Sequence, residues 1–430
     1  MKSELLQQVR LLDPVSGTDK ITDVLIADGV IKAVEERISQ HPANQIRDCR
    51  GLILGPGLVD LYSHSGEPGF EERETLFSLA SAAASGGFTR LAILPDTLPP
   101  VDNLAGLAQL QSLWRSEVPI QVYYWAALTL GVKGQQMTEL AELAAASGVV
   151  GFADGQPLEN LVLVRRLLEY LKPFGKPVAL WACDLSLREN GVMREGRDSI
   201  RLGLPSVSAI VETSALAALL EIVAATGTPV HIMRVSTARS VELIQAAKVR
   251  GLPITASTSW MHLLLDTQAV SSYDPNLRLE PPLGNRSDVV ALRQGVQQGI
   301  IDAIAIDHTP CTYEEKTVAF AAAPPGAIGL ELALPLLWQN LVESGDWSAL
   351  ELWQALSSRP ALCLQQIPRA IAPGEEVEMT LFNPQLSWTV ERQTVKSLSL
   401  NTPWLGQKLT GRVVQTWSGN SMLSYGNAAS

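Results

Sequence analysis

The 430-residue chain carries 33 Lys+Arg against 44 Asp+Glu, a formal net charge of −11, with 46% hydrophobic and 18% charged residues. That acidic balance argues against a surface for nucleic acid or for an anionic membrane, and the apolar content suits a large buried core and not a disordered chain. The four cysteines (Cys49, Cys183, Cys311 and Cys363) are too scattered for a disulfide framework, no apolar run is long enough to span a bilayer, and the first eight residues lack the apolar core of a signal peptide, so a soluble, cytoplasmic protein is expected.

The first ~55 residues read as short strands. Val24 to Ala27 and Val30 to Val34 flank Asp28-Gly29, a strong hairpin signal. After Gly55-Pro56-Gly57 the pattern changes to apolar strand, loop and helix, repeated. Strands are predicted at Leu58 to Tyr62, Phe88 to Leu94, Ile120 to Trp125 and Val149 to Ala153, then at Pro177 to Ala182, Pro229 to Val235, Leu252 to Ala256 and Ile301 to Ile306. Helices are predicted between them, among them Leu158 to Lys172, Val207 to Ala225 and Ser240 to Arg250. Such alternation predicts an α/β fold, a (β/α)8 TIM barrel over residues 56–367. From Pro368 the pattern reverts to strands, at Met379 to Phe382, Ser387 to Val390 and Leu409 to Val414. Residues 1–55 and 368–420 are expected to join into one small composite β domain resembling a sandwich, with 421–430 as a flexible tail.

Chemistry in such a barrel gathers just past the C-terminal ends of the strands. Tyr62, His64 and Gly66 follow the first strand and Asp96 the second; Asp154 follows the fourth. Trp181 and Cys183 close the fifth. His231 and Arg234, three residues apart, end the sixth, and strand alternation places them on opposite faces. Ser259-Trp260-Met261-His262 follows the seventh strand, and Asp307-His308-Thr309-Pro310-Cys311 the eighth. The tryptophans and Met261 are read as volume filling, the cysteines as ordinary buried thiols, and His262 and His308 as structural hydrogen-bonding groups. His41 sits in a polar loop with no role to argue.

Several motifs, in order, carry a resemblance. They are the turn Gly57 to Gly69, Glu280-Pro281-Pro282-Leu283, Ile301 to His308, Glu314-Glu315-Lys316, Gly329-Leu330-Glu331 and Asn401-Thr402-Pro403. Together they make the chain resemble the dihydroorotases of the cyclic amidohydrolase superfamily, over about Asp23 to Val414. The resemblance implies a zinc-dependent hydrolysis or closure of a cyclic amide in pyrimidine biosynthesis. It also implies metal ligands from histidines and acidic residues, and an aspartate after the last strand that carries the proton.

Carried over by position, His64 and Asp307 match, and Asp154 matches an acidic ligand; Asp307 would be the relic of the general acid/base. Tyr62, Trp181 and Arg234 stand where the family has histidine ligands. Gly66 stands in place of an arginine that clamps the substrate carboxylate, and Asp96 in place of an asparagine. Glu280, Gly284 and Cys311 replace further polar or histidine positions. A tyrosine is a poor zinc ligand at neutral pH, glycine supplies no cation, and a guanidinium opposes a dication. No metal or other cofactor is therefore expected; if one binds, His64, Asp154 and Asp307 are its candidate ligands. Arg234 is expected to point into the mouth and to pair with Asp307 or Asp154.

Two readings stay open. In one, the chain is a silent dihydroorotase homologue that acts through binding, as a homo-oligomer or as a structural partner of aspartate carbamoyltransferase, a partnership the resemblance implies. In the other it is an active, zinc-containing dihydroorotase or a cyclic amidohydrolase with an altered substrate.

Overall fold

The computed structural model describes residues 3–39, 43–114, 118, 120–419 and 421–424. Eight parallel strands succeed one another in chain order around a barrel: Leu58–Ser63, Phe88–Ile93, Gln121–Ala126, Val149–Phe152, Val178–Trp181, Val230–Met233, Ile254–Ser259 and Ala303–Ala305. The circle closes where Asp60 of the first strand accepts a 2.9 Å hydrogen bond from Ile306 N, just past the eighth, and where His64 N donates to His308 O at 2.9 Å.

Large and small side chains interlock inside the barrel. Ala92, Ala153, Ala179, Ala303 and Ala305 leave volume that Trp125, Trp181, Tyr62 and Met233 fill within one buried cluster. Trp125 satisfies its indole N–H by donating to Leu61 O at 2.8 Å. The interior is thus a packed core and not a pore. Helices pack outside. The helix Leu161–Leu171 starts where the Asn160 side chain accepts from Leu163 N, and it turns Leu163, Val164, Leu167, Leu168 and Leu171 inward. The helix expected from Val207 begins instead at Ile210, because Ser206–Val207 pairs with Met193–Arg194 as a short parallel ribbon within the connection that follows the fifth strand.

Both chain ends build a second sheet. Its strands run in the order Ser421–Ser424, Lys408–Ser418, Glu378–Thr389, Ile53–Pro56, Ser3–Asp13, Thr18–Ala27 and Val30–Glu35, with Gln45–Asp48 also paired to Ser3–Asp13. The two ends meet where Glu378–Thr389 lies antiparallel to Ile53–Pro56. Asp28 and Gly29 both take positive φ, 52° and 71°, as the two-residue hairpin requires. The runs at 379–382 and 387–390 are one strand with an irregular register between Asn383 and Ser387.

Gly419, with φ 58°, turns the chain back so that Ser421–Ser424 pairs with Lys408–Ser418; residues 425–430 lie outside the described residues.

Glu378 welds this sheet to the barrel floor. It accepts from Arg90 Nε at 2.7 Å, Arg90 Nη2 at 3.0 Å, Arg369 Nε at 3.1 Å and the Thr89 hydroxyl at 2.8 Å. Between its last two long strands the chain leaves the sheet and braces the barrel mouth. The Glu331 carboxylate accepts from Lys396 N and Ser397 N, and Glu74 accepts from Leu398 N at 2.8 Å. Asn401 accepts from Cys311 N at 3.1 Å and donates to Thr309 O at 2.9 Å, which explains why the Asn401-Thr402-Pro403 motif accompanies the loop after the eighth strand. Among the described residues no helix is long and apolar enough to cross a membrane.

Candidate functional site

At the C-terminal ends of the strands lies a cavity of about 210 Å³. His64, Asp96, Arg234 and Asp307 form its floor, Trp181 and Trp260 its walls, and Glu280 its rim. Four charged side chains on the floor form one chain of contacts. Arg234 grips Asp307 in bidentate fashion, Nε to Oδ2 at 2.8 Å and Nη2 to Oδ1 at 2.7 Å. Its Nη1 donates to Gly155 O at 2.9 Å, and its Nη2 lies 3.1 Å from His64 Nε2. On its other side His64 Nδ1 meets Asp96 Oδ2 at 2.5 Å.

The backbone takes up strain to build this arrangement. Arg234 and Asp307 are non-glycine residues with φ of 56° and 53°. The positive φ at the end of the sixth strand also breaks the alternation expected there. His231 and Arg234 therefore do not lie on opposite faces but belong to one interior network. Arg234 N donates to the Tyr62 hydroxyl at 3.2 Å, Tyr62 meets Ser257 Oγ at 2.9 Å, and Ser257 meets His231 Nε2 at 2.8 Å.

Charge follows geometry. Burial disfavours the Asp307 carboxylate, but the Arg234 guanidinium outweighs it and holds its pKa well below the usual range. Burial likewise opposes the His64 charge, yet Asp96 and Asp307 overcome it and push that pKa up to about 9. Asp96 is lowered, since His64 overcomes its own burial. Tyr62 is raised by burial and by Asp307, so its phenol stays protonated. His231 is pushed down to about 3, chiefly by burial, and is neutral.

The expected site residues divide. Tyr62, His64, Trp181, Arg234 and Asp307 converge, and Arg234 lies with its guanidinium 4.9 Å from the Trp181 ring centroid. Asp154 does not join them. It turns toward the third strand's loop and accepts from Leu128 N at 2.8 Å, Thr129 N at 3.1 Å and the Thr129 hydroxyl at 2.5 Å. Arg234 thus binds the carbonyl of the neighbouring Gly155 instead of the Asp154 carboxylate.

Gly66, Asp96 and Glu280 line the cavity, but Cys311 sits behind it, with its thiol pKa raised by burial. Gly284 is packed against the Asp288 side chain. His262 and His308 have structural partners: His262 Nε2 donates to Pro281 O at 3.1 Å, and His308 Nε2 lies 3.3 Å from Glu74. His41 lies outside the described residues.

Sequence reasoning did not find Arg73, which stacks on Phe70 with 4.5 Å to the ring centroid and is engaged by Glu315. Nor did it pair Asp96, placed there only as standing in for an asparagine, with His64. Both pairs join loops distant in sequence, and only the histidine left beside Tyr62 hinted that a new carboxylate was needed.

The zinc ion that the resemblance implies can be tested against this donor set. Among the described residues no group of three or more His, Cys, Asp or Glu side chains is arranged to hold a metal. The Arg234 Nη2 contacts both candidate ligands that remain, Asp154 is engaged elsewhere, and the Tyr62 phenol is protonated. A catalytic zinc needs about three protein donors. The donor set in this arrangement does not fit a zinc ion.

A family model described as Dihydro-orotase-like matches residues 51–240. A "Probable dihydroorotase-like protein" of Synechocystis sp. is 45% identical over 444 residues, covering 96% of this chain and 99% of its own length. The chain belongs to the dihydroorotase-like family. A "Dihydroorotase" of Pelobacter propionicus is 38% identical over 412 residues, with 96% of this chain and 97% of that protein covered. Among solved structures, the L-hydantoinase (dihydropyrimidinase) of Arthrobacter aurescens superposes with a TM-score of 0.85 at 20% identity, over 99% of this chain and 96% of that one. The dihydropyrimidinase of Brevibacillus agri superposes with a TM-score of 0.83 at 19% identity, over 98% and 95%. At those identities the structures establish a shared fold only, a barrel with an added sheet.

Proposed function

We propose that this chain is a non-hydrolytic member of the dihydroorotase-like family that works in the cytoplasm through its surface, as a homo-oligomer or as a structural partner of aspartate carbamoyltransferase in pyrimidine biosynthesis. The observation that carries the reading is the bidentate Arg234–Asp307 pair. A guanidinium is permanently protonated, so it supplies the positive charge beside Asp307 without a metal. It also makes Asp307 a very weak base, because the carboxylate would have to give up two charge-assisted hydrogen bonds to take a proton. A group held in that state is poorly matched to proton transfer near neutral pH. The preserved fold beside this floor favours a role in assembly, for which a stable interface should bury about 1,200 Å² or more in total.

The second reading, an active cyclic amidohydrolase, is favoured by one observation. A mouth cavity of about 210 Å³ persists, with the His64–Asp96 pair on its floor. One preparation separates the two. Purified full-length protein is analysed for metal, assayed with dihydroorotate in both directions with and without added zinc, and co-expressed with aspartate carbamoyltransferase for sizing by light scattering. The proposal expects no tightly held zinc, no turnover and a larger assembly. Robust turnover by the zinc-loaded wild type establishes the active reading, and a monomer that elutes apart from the transcarbamoylase removes the scaffold role.

A further inference from the structure

The helix Leu161–Leu171 packs one face on the barrel, but the face it leaves outside is not that of a helix meeting only water. Leu161, Val162 and Tyr170 on the helix, and Phe174 on the turn Lys172–Phe174 that continues it, are each at least 40% exposed. A solvated helix face carries polar residues instead. The Tyr170 and Phe174 ring centroids lie 6.0 Å apart, so the two rings form one aromatic knob on the surface. The neighbouring helix Ile210–Thr226 turns Ser214, Ala217, Ala224 and Ala225 outward, and the large apolar side chains stand proud of that low flank.

Charge lies between the apolar ends. Arg165 Nε donates to Glu169 Oε1 at 2.8 Å within the helix, and no hydrogen bond reaches Glu169 Oε2 among the described residues. Arg166 is exposed and has neither a hydrogen bond nor an ion pair among the described residues. Val162, Arg166, Glu169 and Pro173 follow one another at intervals of four, three and four residues. That spacing forms a straight seam along a helix, the kind along which a second helix packs.

We propose, resting on the homo-oligomer reading, that this face joins two copies of the chain, packed antiparallel about a two-fold axis that passes between Leu167 and Leu168. In that register Val162 meets Pro173 of the second copy, Leu161 meets Phe174, and Arg165 comes against Tyr170. Arg166 meets Glu169 of the second copy through the free Oε2. The two-fold axis repeats every contact, so one self-complementary stripe serves both copies. Other pairings fail on charge. A parallel pair sets Arg166 on Arg166 and Glu169 on Glu169. A slip of one turn toward the helix starts sets Val162 on Glu169 and Arg165 on Arg166. The apolar ends supply the attraction, and the charged centre fixes the register.

The test compares full-length wild type, Arg166→Glu and Glu169→Arg by sizing with light scattering at micromolar concentration, each shown by circular dichroism to be folded. Both single variants should have half the molar mass of the wild-type assembly, since each sets like charges face to face twice. Mixed one to one, they should regain the wild-type mass, because each centre then meets its opposite. Val162→Asp should also halve the mass. Variants that keep the wild-type mass overturn this surface and leave the homo-oligomer reading standing, whereas a monomeric wild type overturns both. Single variants that dissociate but do not recombine overturn the antiparallel register. Variants that stay assembled but lose a complex with aspartate carbamoyltransferase give the face to that partner and equally overturn the proposal.

Discussion

Arg234→Ala is the substitution that bears most directly on the floor of the mouth cavity. It removes two hydrogen bonds to Asp307 and one to Gly155 O, and leaves Asp307, whose side chain is 14% exposed, without its main counter-charge. Breaking one side of a buried ion pair costs about 3–5 kcal/mol. The lower end applies here, because His64 Nε2 stands 3.6 Å from Asp307 Oδ1 and takes over part of the compensation. An unfolding entropy of about 2.1 cal/mol/K per residue scales to roughly 0.9 kcal/mol/K for this chain, so a loss of about 3 kcal/mol lowers the melting temperature by only ~3 °C. Denaturant titration is therefore the better assay. It should be run as a cycle of Arg234→Ala, Asp307→Asn and the double variant, in which the double variant recovers about 2 kcal/mol relative to additivity. An Arg234→Ala protein within about 0.5 kcal/mol of wild type, or an additive cycle, would refute the account of Arg234 as the internal counter-charge.

The same floor makes stability depend on pH. His64 has its pKa raised to about 9 by its two carboxylate neighbours, so its contribution is fully present below its ordinary value of ~6.5 and is lost as pH rises through about 9. Unfolding free energy measured from pH 6 to 10 should fall across that interval in wild type and vary less in His64→Gln; parallel curves would show that the histidine is not charged in the fold. At Gly66, an added Cβ would come 2.4 Å from the carbonyl oxygens of both Phe70 and Glu74. Gly66→Arg should therefore destabilise by more than about 2 kcal/mol without creating a carboxylate clamp. Calorimetry that finds a wild-type-stable variant with gained affinity for dihydroorotate would overturn that reading.

The barrel was legible because its signal is redundant. Each strand is a short apolar run, each is followed by a helix, and a parallel sheet buried on both faces tolerates error at any one boundary. Boundaries moved where a backbone bond competed with periodicity, as at Val207, which pairs with Arg194 instead of opening the helix. The brace around Asn401 was visible only as a motif. Its purpose needed the contacts to Cys311 N and Thr309 O, which span about ninety residues of chain.

The floor was legible in its charges and in Asp307 as one of the two partners expected for Arg234, but not in the pairing of His64 with Asp96, and the reason is backbone geometry. Pattern reasoning assigns a strand-end residue to a face by alternation. At positions 234 and 307 the chain adopts a left-handed φ, so alternation fails where the ion pair forms. The same limit explains Asp154: its position in sequence fits a ligand, but three donors from the third strand's loop draw its carboxylate away. What the sequence did show was a charge imbalance. A mouth that keeps His64 and Asp307 and gains Arg234 must place the new cation near the old anion, because leaving either unpaired in the interior costs more than the strain at two residues. Asp96 then completes the arrangement by balancing His64. The four side chains form a self-compensated set, which accounts for a floor that folds around its own charges.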